Sequence, residues 1–560
     1  MKTMPIIDVN IKDLEKLIGG KLDVNELERY LSSLKCELEG IEGDVIVYEA
    51  THDRPDLFSA EGLARALKGL MKIELGMRRF NTSLNKEFKL INQGPEYRPY
   101  VLGAIVKNVN FDDEALRQIF NLQEKLHLTY CRNRRRVSIG VYDLDTIEPP
   151  IYYRAVNPLE VKFIPLDYSE EMTLEEILRK TEKGILYGHL ILEHSKEIFP
   201  LLVDSKGTVL SLPPIINSED TRVTTRTKNV FIDVTGTDLR TMMDVLKIMT
   251  TSIAERGKPE EIELIKVITR GKEFISPDLS TETIDVDIRY ANKLLGLNLT
   301  INEVELYLKM MRYDVERVCD NKVKVYIPPY RIDILHQVDI VEDIAIAYGY
   351  NNIIPELPPP PGHGIPHPLE VFTRKIRDIM IGLGFQEVAN YMMSNPEVLV
   401  RKMRLKDIKL VEVANPRMEK YTALRNWLVP GLLEVISTNK HLGKVIKVFE
   451  VGDVVIVDEN MENRARSERH LAIAISSPDV TLTDGLVYLK ALMNTLKIQY
   501  TLEKYDHPSL IKGRSALIKL KTKYVGFIGE VHPEVLLNFN ITIPVVVAEL
   551  NINDILSFIK

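Results

Sequence analysis

Carboxylates crowd one short segment of the chain, residues 328–352, which reads PPYRIDILHQVDIVEDIAIAYGYNN. The spacing of Asp339, Glu342 and Asp343 places them on one face of a predicted helix, with Asp333 just before it. Like charges this close repel one another unless a cation compensates, and an all-oxygen set suits a hard ion such as Mg²⁺ or Ca²⁺. A capping Asp333 followed by a solvated acidic face explains the same spacing, so both interpretations stay open at this point.

A second group of polar residues follows an apolar run that ends in SLPPIIN. It brings amide, hydroxyl and carboxylate groups together in NSEDT and DVTGTD, at Asn217, Ser218, Thr221, Asp233 and Thr235. Small polar groups at the ends of apolar strands can line a binding pocket. Ordinary turn chemistry accounts for the same residues equally well.

Arginine is concentrated in CRNRRRVSIG, residues 131–140, with four arginines between Arg132 and Arg136. Contact with nucleic-acid phosphates is one interpretation of this run, and a solvated helix end is the other. The sequence does not decide between them.

The elements around the carboxylates occur twice. Residues 14–34 and 291–311 each predict a helix, a glycine stop and a second helix, followed by a strand-like run, VIVYEA or VKVYIPP. Arg54-x-Asp56 then matches Arg331-x-Asp333. We interpret Glu61 as the match of Glu342 after a four-residue insertion. On that alignment the dense carboxylate cluster belongs to the second copy alone.

Chain length, net charge and cysteine content exclude several classes of protein. A chain of 560 residues is too long for one core, and we expect three to five domains. The net charge of −7 excludes a globally basic nucleic-acid binder. Three scattered cysteines without a CxxC pair suit reduced thiols in a cytosolic protein, and we expect neither a signal peptide nor a membrane span.

Several long motifs resemble one family in matching order along nearly the whole chain. These are RPDLFSAEGLAR, LSLPPIINSEDT, IDVTGTD, PPYRIDILHQVDIVEDIAIAYGY, NPRMEKYTALRNWLVPGLL and FEVGD. The chain resembles the β subunit of phenylalanyl-tRNA synthetase in its archaeal or eukaryotic form. This resemblance implies a cytoplasmic subunit of phenylalanine–tRNA ligase, working with an α subunit as an (αβ)₂ heterotetramer on tRNA(Phe). It also implies that ATP and phenylalanine bind mainly to the α subunit.

The resemblance and the sequence pattern together predict a multidomain α+β protein. Proline-rich PELPPPPGHGIPHP reads as a linker between its last two domains. The expected regions are an N-terminal α+β domain at 1–85, a central α+β editing domain at 86–272, a small Mg²⁺-binding domain at 273–354, the linker at 355–368, and a catalytic-like synthetase domain with an antiparallel sheet at 369–560. In that last domain Arg425 and Arg514 remain, but no full set of ATP-binding arginines is recognisable.

The resemblance also implies two sites. One is a Mg²⁺ ion at the contact with the α subunit, held by Asp333, Asp339, Glu342 and Asp343. The other is a pocket that hydrolyses mischarged Tyr-tRNA(Phe), for which the nominated residues are Leu202, Ser211, Asn217, Asp233 and Thr235. Two alternatives remain open from the sequence: a free-standing tRNA-binding or trans-editing hydrolase, and a non-catalytic assembly scaffold.

Overall fold

The computed structural model describes residues 4–269, 271–359, 362–442 and 445–559. The chain forms two compact units, residues 1–357 and 358–560, which are described in turn. Both mix helices with largely antiparallel sheets, which confirms the predicted α+β class. Within the described ranges no helix is long and apolar enough to span a membrane.

The first unit begins with a three-stranded sheet covered by helices. The strands pair in the order β1-β3-β2, and the elements are β1 (Ile6–Asn10), α1 (Ile11–Ile18), α2 (Val24–Ser33), β2 (Cys36–Glu42), β3 (Val45–Ala50) and α3 (Ala60–Leu70). Asn10 caps α1 with its side chain, and Gly19 ends it in the left-handed conformation, which glycine adopts without a steric penalty.

A ten-stranded sheet forms the centre of this unit. Its elements are β4 (Asn81–Gln93), β5 (Tyr100–Val109), α4 (Asp113–Leu128), β6 (Val137–Asp143), β7 (Ile151–Val156), the short pair β8 (Lys162–Phe163) and β9 (Met172–Thr173), α5 (Leu174–Lys180), α6 (Glu182–Tyr187), α7 (His189–Leu192), β10 (Phe199–Val203), β11 (Val209–Leu212), β12 (Ile216–Asn217), β13 (Val230–Gly236), α8 (Leu239–Ala254), β14 (Gly257–Thr269) and β15 (Lys272–Ser276). The strands run in the order β12-β11-β10-β7-β4-β14-β5-β13-β6, with β15 beside β14 and the pair β8–β9 apart.

Two of the predicted domain boundaries fall inside strands of this sheet. The boundary at 85/86 lies within β4, and the boundary at 272/273 lies within β15. The sheet therefore extends beyond the predicted 86–272 region at both ends. Buried residues of α1–α3 belong to the same apolar core as those of α8, β5 and β13, so the first three-stranded module and the central sheet share one core.

A second three-stranded module completes the first unit. Its strands pair in the order β16-β18-β17, and its elements are β16 (Glu282–Asp287), α9 (Ile288–Leu295), α10 (Ile301–Met310), β17 (Asp314–Cys319), β18 (Lys322–Ile327) and α11 (Gln337–Tyr348). The order of elements and the strand order repeat those of the N-terminal module. The internal repeat predicted from the sequence is therefore confirmed.

The proposed four-residue insertion between the copies is wrong. Ser59 caps α3 and His336 caps α11, and each cap comes three residues after the aspartate of its Arg-x-Asp pair. The two copies thus keep one constant offset through these helices. On this alignment Glu342 corresponds to Arg65 and Asp343 to Ala66, so the second copy exchanged side chains without lengthening the loop.

The second unit is built on a seven-stranded sheet with the order β19-β22-β23-β27-β26-β25-β24 and a separate pair β20–β21. Its elements are α12 (Pro368–Gly382), β19 (Gln386–Glu387), β20 (Met393–Ser394), β21 (Ala423–Leu424), α13 (Val429–Asn439), β22 (Ile446–Val457), β23 (Ala465–Ser476), α14 (Leu482–Thr495), β24 (Thr501–Lys504), β25 (Leu510–Leu520), β26 (Lys523–Val531), α15 (Pro533–Asn538), β27 (Val545–Asn551) and α16 (Ile552–Ile559). All its sheet pairings are antiparallel except β19 with β22. Two apolar clusters, one including α12, α14 and α16 and the other α13 and α15, form its core.

Candidate active site

A cavity of about 320 Å³ opens beside the central sheet. Residues of β6, β11, β12 and β13 line it together with residues of α4 and α6 and the segments around Pro214 and Arg222. Its walls are mainly apolar, with Ile139, Val141, Leu212 and Ile215 among them. A small cavity with apolar walls and a few polar groups is typical of a site for a small organic group.

The polar groups at one end of this cavity form a continuous hydrogen-bonded chain. The Tyr142 hydroxyl lies 2.5 Å from Asp233 Oδ1 and 2.8 Å from Ser211 Oγ, and all three side chains are buried. Burial raises the pKa of Asp233 to about 7, although the hydrogen bond from Tyr142 opposes this rise. Asp233 is therefore largely protonated below neutral pH and ionised above it.

The sheet leaves room for this chain at one glycine. Gly140 on β6 lies directly opposite Asp233 on β13. A Cβ atom at Gly140 would overlap both the Tyr142 hydroxyl and Asp233 Oδ1. The glycine thus keeps open the space that the carboxyl and the phenol occupy.

The structure places only some of the nominated residues in the cavity. Ser211, Asn217 and Asp233 line it, and Asn217 Nδ2 also donates to the carbonyl oxygen of Val141 at 3.3 Å. Leu202 lies in the apolar core and pairs with Ser211 across β10 and β11. Thr235 is fully buried and does not line the cavity. Leu202 and Thr235 therefore do not line this cavity, and their part in an editing pocket stays a prediction.

Thr235 belongs instead to a buried network around Arg98. Nε of Arg98 donates to Thr235 Oγ1 at 3.0 Å, and Nη2 donates to Ser138 Oγ at 2.9 Å and to the Thr235 carbonyl oxygen at 2.6 Å. Because Thr235 and Asp233 are two residues apart on β13, they face the same side of the sheet. Thr235 therefore supports the residues beside the cavity rather than contacting its contents.

Sequence reasoning missed Tyr142 as a site residue. The signal was present, because Gly140 and Tyr142 stand two residues apart in the strand VSIGVYD and therefore share a face. What the sequence did not contain was the pairing of β6 with β13, which brings Tyr142 to Asp233. That contact spans 91 residues of chain.

Arg134 holds one wall of the cavity. It is buried, its Nη1 donates to the carbonyl oxygens of Pro214 and Ile215 at 3.1 and 2.9 Å, and its Nη2 pairs with Glu124. Arg132 and Arg134 both lie in a left-handed turn after α4, and Arg132 and Arg135 are exposed. Within the arginine run, Arg134 is thus a wall residue, and contact of the others with RNA stays a prediction.

The four carboxylates predicted to bind Mg²⁺ have partners within the chain. Nε and Nη2 of Arg331 donate to the two oxygens of Asp333 at 2.9 and 2.8 Å, and Nη2 also donates to Asp343 Oδ2 at 2.7 Å. Tyr313 donates its hydroxyl proton to the same oxygen of Asp343. Burial raises the pKa of Asp333, but the charge of Arg331 outweighs this and lowers it to about 2. Both aspartates are therefore buried partners of one guanidinium.

The other two carboxylates face different neighbours. Asp339 Oδ2 accepts from the backbone N–H groups of Leu335 and His336 at 2.8 Å each, which closes the capping box of α11. Glu342 pairs with Lys35 of the N-terminal module at 2.9 Å. The helix cap is therefore His336 with Asp339, and Asp333 does not cap the helix.

The four carboxylates, in these positions, could not all bind one metal ion. No three of the four carboxylates present oxygens close enough together to ligate one metal. In the described part of the chain the one acidic or histidine set that converges so closely is Glu37, Glu39 and Glu49, on β2 and β3. Oxygen ligands suit Mg²⁺ chemically, but Asp333 and Asp343 are already paired with Arg331.

The Arg-x-Asp pairs have the same geometry in both copies. Nε and Nη2 of Arg54 donate to the two oxygens of Asp56 at 2.9 Å each, as Arg331 does to Asp333. All four side chains are buried or nearly so. The pairing is therefore part of the shared scaffold, and the contact of Arg331 with Asp343 is specific to the second copy.

The two arginines singled out in the second unit differ in their surroundings. Arg425 is buried, pairs with Glu450 at 2.6 Å, and donates to the carbonyl oxygen of Asp453. Arg514 is exposed and pairs with Glu530 at 2.7 Å. Arg425 follows β21, and it donates to residues of β22 in the seven-stranded sheet.

Comparisons with known proteins agree along the whole chain. Family models match as "Phenylalanyl tRNA synthetase beta chain CLM domain" at residues 353–552, "tRNA synthetase B5 domain" at 284–350 and "B3/4 domain" at 99–262. The phenylalanine–tRNA ligase beta subunit of Thermofilum pendens is 47% identical over 549 residues, covering 98% of each chain. That of Pyrococcus furiosus is 45% identical, covering 98% of this chain and 99% of its own.

A solved structure is also similar. It is an N-terminal fragment of the phenylalanyl-tRNA synthetase β subunit from Pyrococcus horikoshii, 45% identical, which matches with a TM-score of 0.58 and covers 62% of this chain and all of its own. Identity of this extent over nearly complete chains identifies the family. The chain belongs to the phenylalanine–tRNA ligase beta subunits.

Proposed function

We propose that this β subunit hydrolyses tyrosyl-tRNA(Phe) in the cavity that ends at Asp233. The observation that carries the proposal is the buried chain of Ser211, Tyr142 and Asp233 at the polar end of an otherwise apolar cavity. The polar end can form a hydrogen bond with the hydroxyl of a phenol, and the apolar walls can contact its ring.

This arrangement supports discrimination between tyrosine and phenylalanine. An apolar synthetic pocket excludes an added hydroxyl by only about 10²-fold. A site built to hydrogen-bond that hydroxyl rejects the analogue without it by roughly 10⁴–10⁵, because its buried polar groups would be left unpaired. Phenylalanine has no hydroxyl group, so in this cavity it would leave the carboxyl of Asp233 without the hydrogen bond that a tyrosyl group donates.

The hydrolysis we propose uses water as the nucleophile. Among the described lining residues no serine or cysteine is paired with a histidine, so a covalent intermediate on the protein has no activated nucleophile. A water molecule adds to the ester carbonyl carbon, the bond from that carbon to the ribose oxygen breaks, and the ribose oxygen takes up the proton. The neighbouring ribose hydroxyl of the tRNA is placed to assist, and tyrosine and free tRNA leave.

The remaining parts of the proposal concern assembly. We infer that the chain works in the cytosol with an α subunit, in an (αβ)₂ heterotetramer in which α binds ATP and phenylalanine. The paired state of Arg425 supports a scaffolding role for the second unit, because its donors point into the sheet. Gel filtration after co-expression with a candidate α chain tests this, and a stable β chain that forms no complex would favour a free-standing hydrolase.

Magnesium binding at Asp333, Asp339, Glu342 and Asp343 stays a prediction. With the side chains as they are, Arg331 would have to release Asp333 and Asp343 before either could ligate an ion. Asp339 and Glu342 are only partly buried, so they are the two that an ion at a subunit contact would reach.

Deacylation of preformed tRNA tests the editing proposal. We expect the αβ complex to hydrolyse Tyr-tRNA(Phe) much faster than Phe-tRNA(Phe), and the Tyr142→Phe variant to lose most of this preference while charging tRNA with phenylalanine normally. Hydrolysis of neither ester above the uncatalysed rate would favour the scaffold alternative, and equal hydrolysis of both would contradict recognition of the phenol.

A further inference from the structure

Six charged residues line the cavity, and four of them form two ion pairs. Arg134 pairs with Glu124, and Arg222 pairs with Asp167. Asp233 lies at the polar end and holds its proton up to about pH 7. The sixth charged lining residue is Lys183, and it makes no ion pair with any carboxylate in the described part of the chain.

Lys183 is an exposed lining residue, whereas Asp233 at the polar end is buried, so Lys183 marks the solvent-facing side of the cavity. It lies on the short helix α6 and contributes to the cavity lining. The neighbouring Tyr187 lies on the same helix, and its ring stacks under the guanidinium of Arg134 at 4.6 Å. This contact connects α6 to the cavity wall and fixes the element that carries the unpaired cation.

An exposed aromatic ring lines the cavity from α4. Phe120 retains 37% of its surface exposed, which is unusual for a phenylalanine next to a well-formed apolar cavity. Aromatic side chains beside a cation are the recurring elements of sites for single-stranded nucleic acid, where the ring stacks on a base and the cation binds the backbone.

We propose that Phe120 and Lys183 form a subsite for the terminal nucleotide of the aminoacylated RNA, with the base stacked on Phe120 and the 5′-phosphate bound by Lys183. This inference rests on the proposed hydrolysis, because it places the nucleotide at the mouth and the aminoacyl group inside. The buried carboxyl of Asp233 would bind the phenol hydroxyl and the apolar walls its ring, while the two exposed lining residues, Phe120 and Lys183, would bind the base and the phosphate. A cavity of about 320 Å³ holds the aminoacyl group and leaves the nucleotide at the opening.

Two ligands that differ by one phosphate test the subsite. The first is 3′-deoxy-3′-tyrosylamino-adenosine, whose amide replaces the labile ester, and the second is its 5′-monophosphate. Both are titrated into the αβ complex with the synthetic site filled by a stable phenylalanyl-adenylate analogue. The variants are Lys183→Ala, Lys183→Arg, Phe120→Ala and the control Lys196→Ala, which changes an exposed lysine outside the cavity lining.

We expect the wild-type complex to bind the phosphorylated ligand about tenfold more tightly than the other. Lys183→Ala should bring this ratio close to one, while Lys183→Arg and Lys196→Ala should keep it. Phe120→Ala should weaken both ligands by roughly tenfold without changing their ratio, because stacking does not involve the phosphate.

Three results would overturn the subsite: no phosphate preference in the wild-type complex, a preference that survives Lys183→Ala, or binding of neither ligand. Failure of the proposed hydrolysis has a different signature. In that case the phenylalanyl counterparts bind as tightly as the tyrosyl ligands, and Asp233→Ala changes the affinity for neither. This result does not depend on whether the 5′-phosphate strengthens binding.

Discussion

The hydroxyl of Tyr142 lies 2.5 Å from Oδ1 of Asp233, inside a cavity whose other walls are largely apolar. A phenol has one proton, so when Tyr142 donates to Asp233 it accepts from Ser211, whose oxygen is 2.8 Å away. One oxygen of Asp233 is thereby occupied. The other has no hydrogen-bond donor in the described chain, and it is the natural acceptor for a substrate hydroxyl.

Gly140→Ala should abolish tyrosyl-ester hydrolysis without affecting phenylalanine charging. The added methyl group would occupy the space of the Tyr142 hydroxyl and the Asp233 carboxyl, and both sit on rigid strands. Single-turnover deacylation measures the loss. Gly20→Ala is the matched control, since a Cβ there meets no atom within 4 Å, and hydrolysis by Gly140→Ala at the control's rate would show that this space is not used.

The hydrolysis should depend on pH through Asp233. Its pKa is raised to about 7, so the carboxyl is neutral at pH 6 and mostly ionised at pH 8. A carboxylate accepts the phenol proton better than a carboxylic acid does, so kcat/KM for Tyr-tRNA should rise with an inflection near pH 7. Asp233→Asn should remove the inflection. An unchanged profile in that variant would assign the inflection to another group.

Much of this architecture was predictable because it is encoded locally. The helix–glycine–helix pattern of both repeats depends on caps and periodicity, which a sequence displays directly. The predicted insertion was wrong because Glu61 and Glu342 share a side-chain type but not a distance from their helix caps, Ser59 and His336. Ser59 and His336 both cap their helices, but a histidine cap is hard to recognise from sequence alone.

The site was less predictable because long-range pairing creates it. Asp233 was predicted from its place beside an apolar run and Ser211 from the family resemblance, whereas Tyr142 lies on a strand distant in sequence from both. Thr235 shares a face with Asp233 but is turned to Arg98, a buried cation that makes no ion pair with a described carboxylate. Nothing in the alternation of β13 distinguishes the two positions.

His470 should stabilise the second unit in a pH-dependent way. Burial lowers its pKa, but hydrogen bonds to Glu468 and Glu549 outweigh this and raise it to about 9. A raised pKa gives stability that is complete below the unfolded value near 6.5 and is lost as pH rises through 9.

The wild-type complex should therefore exceed His470→Gln in the free energy of unfolding by on the order of 3 kcal/mol at pH 6, and by much less at pH 9.5. Thermal unfolding across this range measures the difference. A gap that stays constant with pH would mean that the imidazole contributes by packing alone.

Asp343→Asn should destabilise the β chain more than Asp339→Asn does. Asp343 is buried with Arg331 and Tyr313, and breaking such a pair costs roughly 3–5 kcal/mol. Asp339 closes a helix cap, whose loss costs about 1 kcal/mol. Thermal unfolding in EDTA compares the two. Equal losses of stability in the two variants would show that the ion pair of Asp343 with Arg331 contributes no more than the helix cap does.

Bound magnesium is a separate measurement on the same complex. Asp339→Asn combined with Glu342→Gln should reduce the Mg²⁺ content and αβ association, with little effect on the fold of β. Glu282→Gln, which changes an exposed carboxylate on β16, is the control. Wild-type Mg²⁺ content in the double variant would remove these two residues from any metal site.

We propose that the carboxyl of Asp233 recognises the tyrosyl group of mischarged tRNA. Deacylation of Tyr-tRNA(Phe) by the αβ complex carrying Asp233→Ala tests it most directly, with Thr235→Ala as the comparison because Thr235 lies outside the cavity. We expect at least a hundredfold loss in kcat/KM for Asp233→Ala, roughly the cost of leaving one buried hydrogen bond to a charged group unmade. Thr235→Ala should lose less, and both variants should charge tRNA with phenylalanine normally. Hydrolysis by Asp233→Ala at the wild-type rate would contradict it.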